Sequence, residues 1–172
     1  MNFDVILAKL TEKFPKGVLG KEETLPHASF KVEAHAIHSM VKYLRDELGF
    51  ETLHLVSGVD YPKLPSLCVV YHLGSYQHRT VVALKVYLER SDKAKIASIC
   101  DLYKAANWHE RETFDMYGIQ FENHPDHRRI LCPDDWVGYP LRKDYATPDY
   151  YNGMPVPLSF EAPASTTDGG HA

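Results

Sequence analysis

Apolar residues recur along this chain with two periods, and the switches between them outline a fold. Val5, Ile6, Leu10 and Phe14 share one helical face, and Pro15 and Gly17 end that helix. Phe30, Val32 and Ala34 alternate as in a strand. Ile37, Met40, Val41, Leu44 and Leu48 then fall at three-and-four spacing, which predicts an amphipathic helix stopped at Gly49. Three runs with β-favouring side chains follow, at Leu53 to Val59, Leu67 to Leu73 and His78 to Leu88. A turn holding Pro62 and Pro65 precedes the second, and Gly74 and Ser75 suit a hairpin between the last two. Ser91 is placed to cap a helix through about Tyr103, with Ile96, Ile99 and Cys100 on one face.

This order predicts an α+β fold, with a mainly antiparallel sheet and helices packed on one face, followed by an extended C-terminal segment. Beyond Asp144, Pro148, Pro155, Pro157 and Pro163 break any regular element. The organisation read from the pattern is an α+β domain over 1–131, an extended segment over 132–160 and a disordered tail over 161–172.

Composition narrows the function classes. A chain of 172 residues fits one domain plus tails and can bury a substantial core. A net charge of -4 gives no electrostatic case for nucleic acid, which calls for a strong basic excess. No apolar run approaches the roughly 20 residues that span a bilayer. Asp4 sits early in the first apolar run with no basic segment before it, unlike a secretory or transit peptide. Cys68, Cys100 and Cys132 are widely spaced, which suits a reducing compartment and not a cluster-binding chain.

The densest chemistry lies in Glu110 to Leu131, reading ERETFDMYGIQFENHPDHRRIL. Asn107, three residues before Glu110, has the spacing of a capping box, so a helix of about three turns is expected from Trp108 to Gly118. Glu110 and Glu112 sit in its first turn, where carboxylates offset the helix dipole. Arg111 and Asp115, four apart, are placed to pair. Spacing alone is thus met by a capped helix with an internal ion pair.

The continuation asks for more. Glu110, Arg111, Glu112, Asp115, Met116, Tyr117, His124, Arg128, Ile130 and Leu131 match every constrained position of a family signature. The stretch resembles the 30 kDa subunit family of proton-pumping NADH:quinone oxidoreductase, the C subunit of respiratory complex I. Downstream, Pro140-Leu141-Arg142-Lys143-Asp144-Tyr145 is similar to the segment that follows the signature in that family. The chain departs from the family after Tyr145, where Ala146-Thr147-Pro148 replaces a proline and a glycine-containing turn.

The resemblance implies a non-catalytic scaffold subunit in the peripheral arm of a bacterial-type complex. It would sit on the cytoplasmic side of the inner membrane, beside the D and B subunits. FMN and iron–sulfur clusters would reside in partner subunits, with no cofactor, metal or catalytic residue in this chain. Length argues against a fused C–D form, and the N-terminus favours a bacterial protein. The expected partner interface comprises Glu110, Arg111, Glu112, Asp115, His124, Arg128, Arg129, Pro140, Leu141, Arg142, Lys143, Asp144 and Tyr145.

Other readings carry less support. His124, His127 and Cys132 lack the usual zinc spacing. Glu110 and Glu112 point to different helix faces, against a shared acid–base dyad, and Cys132 as a nucleophile needs a neighbouring base. The alternatives are the equivalent subunit of a related membrane-bound hydrogenase or other-donor dehydrogenase, and a free-standing metal-dependent enzyme.

Overall fold

A computed structural model describes residues 2–22 and 29–156. The tail expected over 161–172 lies outside them. Helix α1 (Phe3–Lys13) leads into edge strand β1 (Val18–Glu22), then β2 (Ser29–Val32), a 3-10 turn and helix α2 (Ile37–Asp46). Three ten-residue strands follow: β3 (Thr52–Tyr61), β4 (Ser66–Ser75) and β5 (Thr80–Glu89). These five strands form one sheet in the order β1-β2-β5-β4-β3, with only the β2–β5 pair parallel. The α+β expectation holds.

Register explains where the core sits. Phe30, Leu84, Tyr71 and Val56 are successive cross-strand partners, and so are Val32, Val86, Val69 and Gly58 two residues on. Both rows belong to the buried face, which α1 covers with Ile6 and Leu10 and α2 with Ile37, Met40, Val41 and Leu44. Val5 turns outward instead, 46% exposed. At Gly58 a Cβ would run into the ring of Tyr117. That missing side chain lets helix α3 (Ala106–Tyr117) settle onto β3.

One expectation changes. Residues 91–103 form no helix. The Lys93 N–H donates to Ser91 Oγ in a turn, and Lys95–Ala97 become strand β6, parallel to β7 (Gln120–Glu122). Ile96 pairs with Phe121, and both are buried. Tertiary burial outweighs a weak local helical period. Strand β1 has no clear signal in the pattern either: it is short, holds Gly20, and gains its order by pairing with β2.

Candidate functional site

Helix α3 is placed so that its polar side chains reach other segments, and few of them serve the helix itself. It begins at Ala106, and its N-cap, Ala105, makes no side-chain bond. The expected Asn107 capping box is therefore absent. Its other end follows the pattern: Gly118 adopts φ 76, its N–H donates to the Phe114 carbonyl at 2.8 Å, and Tyr139 and Arg142 pack where a Cβ would lie.

Glu110 is fully buried and points away from solvent. Its carboxylate accepts from Ser98 Oγ at 2.6 Å, from the Ile99 N–H at 2.8 Å and from the Cys100 thiol at 3.2 Å. It thereby ties the β6–α3 connection to the helix. Burial pushes the Glu110 carboxyl above its ordinary 4.5, against the opposing pull of those donors and of His124. The unfolded chain thus ionises first, so Glu110 favours folding most in acid and loses that contribution as the pH rises through the folded value. Glu110→Gln removes this titration. Its thermal midpoint should fall further below the parent's at about pH 4 than at about pH 7; a wider gap at neutral pH would contradict this account.

Arg111 and Asp115 do not pair with each other. Arg111 donates to the carbonyls of Arg128 (3.2 Å) and Arg129 (3.0 Å) and lies 3.3 Å from Asp126. Asp115 is a hub. One carboxylate oxygen accepts from the N–H groups of Ile130, Leu131 and Cys132 at 3.1, 2.7 and 2.8 Å. The other takes Arg129 Nη1 at 2.5 Å. Burial opposes ionisation, but these donors outweigh it and hold the carboxyl below its ordinary 3.8. Arg129 continues to the Gly138 carbonyl at 2.9 Å.

A second clasp holds residues 139–145. Arg142 donates to the Tyr117 carbonyl at 2.8 Å and to Asp92 at 2.6 Å, and its guanidinium lies 4.6 Å from the Tyr139 ring centre. The Leu141 N–H meets the Met116 carbonyl, and the Lys143 N–H meets buried Asp60 at 2.7 Å. Arg90 forks between Asp60 (2.7 and 2.9 Å) and Asp144 (2.6 and 3.1 Å). Pro140 and Tyr145 are half-buried, while Glu112, Arg128, Leu141, Lys143 and Asp144 are exposed.

Asp60, Arg90, Ser98 and Cys100 escape sequence reasoning. One signal is available: Asp60 follows Val56 and Gly58 at inward positions of β3, where a carboxylate needs a partner.

Among the described residues, the potential metal ligands that converge are Cys100, Glu110 and His124, within 4.8 Å of one another. The His124–His127–Cys132 set is not assembled. The converging trio is better described as a hydrogen-bond cluster. The Asp126 N–H donates to His124 Nδ1, which places the proton on Nε2, toward the Asn107 carbonyl. Both Glu110 oxygens are occupied, and burial pushes the Cys100 thiol up to about 12.

A family profile described as "Respiratory-chain NADH dehydrogenase, 30 Kd subunit" matches residues 30–151. The chain belongs to this family. The match takes in β2 through the second clasp, so it covers four of the five sheet strands, α3 and the anchored turn together. The chain is 42% identical to the C subunit of the F(420)H(2) dehydrogenase of Methanosarcina mazei, over 84% of this chain and 92% of that one. It is equally identical, at 42%, to the C subunit of the NADH-quinone oxidoreductase of Roseiflexus sp. (strain RS-1), over 94% and 87%. A chain in the structure of a membrane-bound sulfane sulfur reductase, an archaeal respiratory membrane complex, superposes with a TM-score of 0.72 at 29% identity. That likeness covers 83% of this chain and 85% of the other.

Proposed function

We propose that this member of the 30 kDa family is a non-catalytic scaffold subunit in the peripheral arm of a proton-translocating NADH:quinone oxidoreductase. That complex passes electrons from NADH through FMN and iron–sulfur centres to quinone and couples the transfer to proton translocation. In this reading the cofactors sit in partner subunits, the nearest partners are the D and B subunits, and the chain lies on the cytoplasmic side of a bacterial inner membrane. Among the described residues no helix is long and apolar enough to cross a membrane, which is compatible with attachment through partners.

One observation carries the proposal. Residues 122–156 contribute no side chain to the hydrophobic core, yet side chains of Asp115, Arg129 and Asp60 hold their backbone, and Arg142 reaches back from the segment to the Tyr117 carbonyl. The part so fixed displays Leu131, Val137 and Leu141 to solvent, with Arg128 and Lys143 among them, and Tyr150 and Met154 are exposed just beyond it. A rigid backbone carrying exposed apolar and basic side chains is built to meet another protein surface. The thirteen interface residues then divide into two roles. Glu110, Arg111, Asp115, His124, Arg129 and Arg142, with half-buried Pro140 and Tyr145, shape the surface, and exposed Glu112, Arg128, Leu141, Lys143 and Asp144 meet the partner.

Arg128→Glu and Val137→Glu test this. Arg128 has its side chain 69% exposed, in a surface ion pair with Asp126, and Val137 is 85% exposed, so each change should lower stability by no more than about 1 kcal/mol. Together they should lower recovery of partner subunits with the tagged chain by about tenfold or more. Undiminished recovery would overturn the proposal. The equal identity to a chain of an F(420)H(2) dehydrogenase supports a second reading, the same scaffold in a complex with another electron donor. The identity of the co-purified donor-binding subunits separates the two.

A further inference from the structure

The signature turn is closed in an unusual way. Two of its backbone N–H groups end on imidazole nitrogens: Asp126 N–H on His124 Nδ1 and Phe121 N–H on His127 Nε2, each at 3.0 Å. An imidazole nitrogen accepts only through its lone pair, and protonation removes that lone pair. We infer that His124 and His127 form a proton-sensitive latch on the turn that carries Arg128 and Leu131, closed while the His127 ring is neutral and opened when it takes up a proton.

The surroundings make His127 the sensitive member. Its ring packs on Phe114 of α3 at 4.2 Å and faces His124 at 5.8 Å. His124 is the titratable group acting on it. Around His124, Glu110 of α3 lies 3.9 Å from Nε2, Cys100 of the β6–α3 connection lies within the same cluster, and Asp126 follows in the same turn. Burial, and then His124, hold the His127 ring below its ordinary 6.5. The stabilisation it gives is therefore complete above that value and is lost as the pH falls through the folded one. Asp115 and Asp126 are both held below 3.8, so they stay ionised through this range and keep their own bonds. Glu110 titrates in the opposite sense, since its protonation relieves a buried charge. Its movement resists the opening and cannot cause it.

Acid would thus loosen Phe121 to His127 while the sheet and α2 stay intact. That this releases a partner rests on the function proposed above; the latch itself is a property of the chain alone. Nitrogen NMR of the full chain at about pH 7.5 should show His127 with its proton on Nδ1 and a bare Nε2. Amide exchange, corrected for intrinsic rates, should show protection at Phe121 falling about tenfold for each pH unit below the His127 midpoint. Protection in β4 should hold. His127→Gln keeps an acceptor that does not titrate in this range, and its Phe121 protection should stay flat. A proton found on Nε2, or parent protection at Phe121 that stays level as the pH falls through the His127 midpoint read from the same spectra, overturns the latch whether or not the variant folds.

Discussion

Replacing Asp115 with alanine should cost about 3–5 kcal/mol, a large share of the stability of a domain this size. The carboxylate is fully buried and accepts four donors from outside its helix. Its loss leaves the Arg129 guanidinium without a counter-charge and three consecutive N–H groups without acceptors. Asp115→Asn should be nearly as damaging. Both oxygens accept, and asparagine offers one acceptor while turning an NH2 group toward a donor. Denaturant unfolding at neutral pH measures the cost. The parent's advantage should shrink in strong acid, because a carboxyl held below 3.8 contributes stability above the unfolded value and loses it as the pH falls through the folded one. A cost below about 1 kcal/mol for alanine would remove Asp115 from the centre of the turn.

The contrast between pattern and structure lies in what Asp115 bonds. Spacing places it opposite Arg111, and an exposed pair of that kind is worth about 0.3–0.5 kcal/mol. Four donors from residues 129–132 outweigh such a pair, and nothing in local spacing reveals where those residues return in space. Spacing misplaces Glu110 for the same reason: its partners Ser98, Ile99 and Cys100 come from a stretch whose pattern suits a helix. Elements whose burial follows their own period are legible. Helix α2 buries Ile37, Met40, Val41 and Leu44 as its pattern predicts, and β4 and β5 are long, rich in valine and joined by a hairpin, its turn at 76–79 just beyond Gly74 and Ser75, which pair within the ladder. Strands β6 and β7 are illegible because three residues each carry too little period, and their order comes from pairing.

The signature therefore describes a tertiary joint. Its acids accept from segments before and after α3, and its arginines return to backbone carbonyls and to those acids. The motif identifies the family without showing this. The proposed docking surface extends beyond the motif to Val137, Tyr150 and Met154, exposed side chains that no short pattern marks.

Asp60→Ala should release the second clasp while leaving the core folded. Asp60 sits on the inward row of β3 beside Leu67 and is 4% exposed. It takes a forked bond from Arg90 and the Lys143 N–H. Removing it strands Arg90 on one side and frees the 139–145 backbone on the other. A buried ion pair broken from one end costs about 3–5 kcal/mol, but Arg90 keeps some access to water, which lowers the figure to about 2–4. Asp144→Ala should cost far less, because its side chain is 66% exposed and serves only the outer end of the same guanidinium. Limited proteolysis distinguishes a local release from general unfolding. In Asp60→Ala, cleavage should appear within residues 132–156 while β3 to β5 remain resistant, and partner recovery should fall with it, since the exposed apolar side chains are then presented from a mobile backbone. If the segment stays as resistant as in the parent, the Asp60–Arg90 fork is not what holds it.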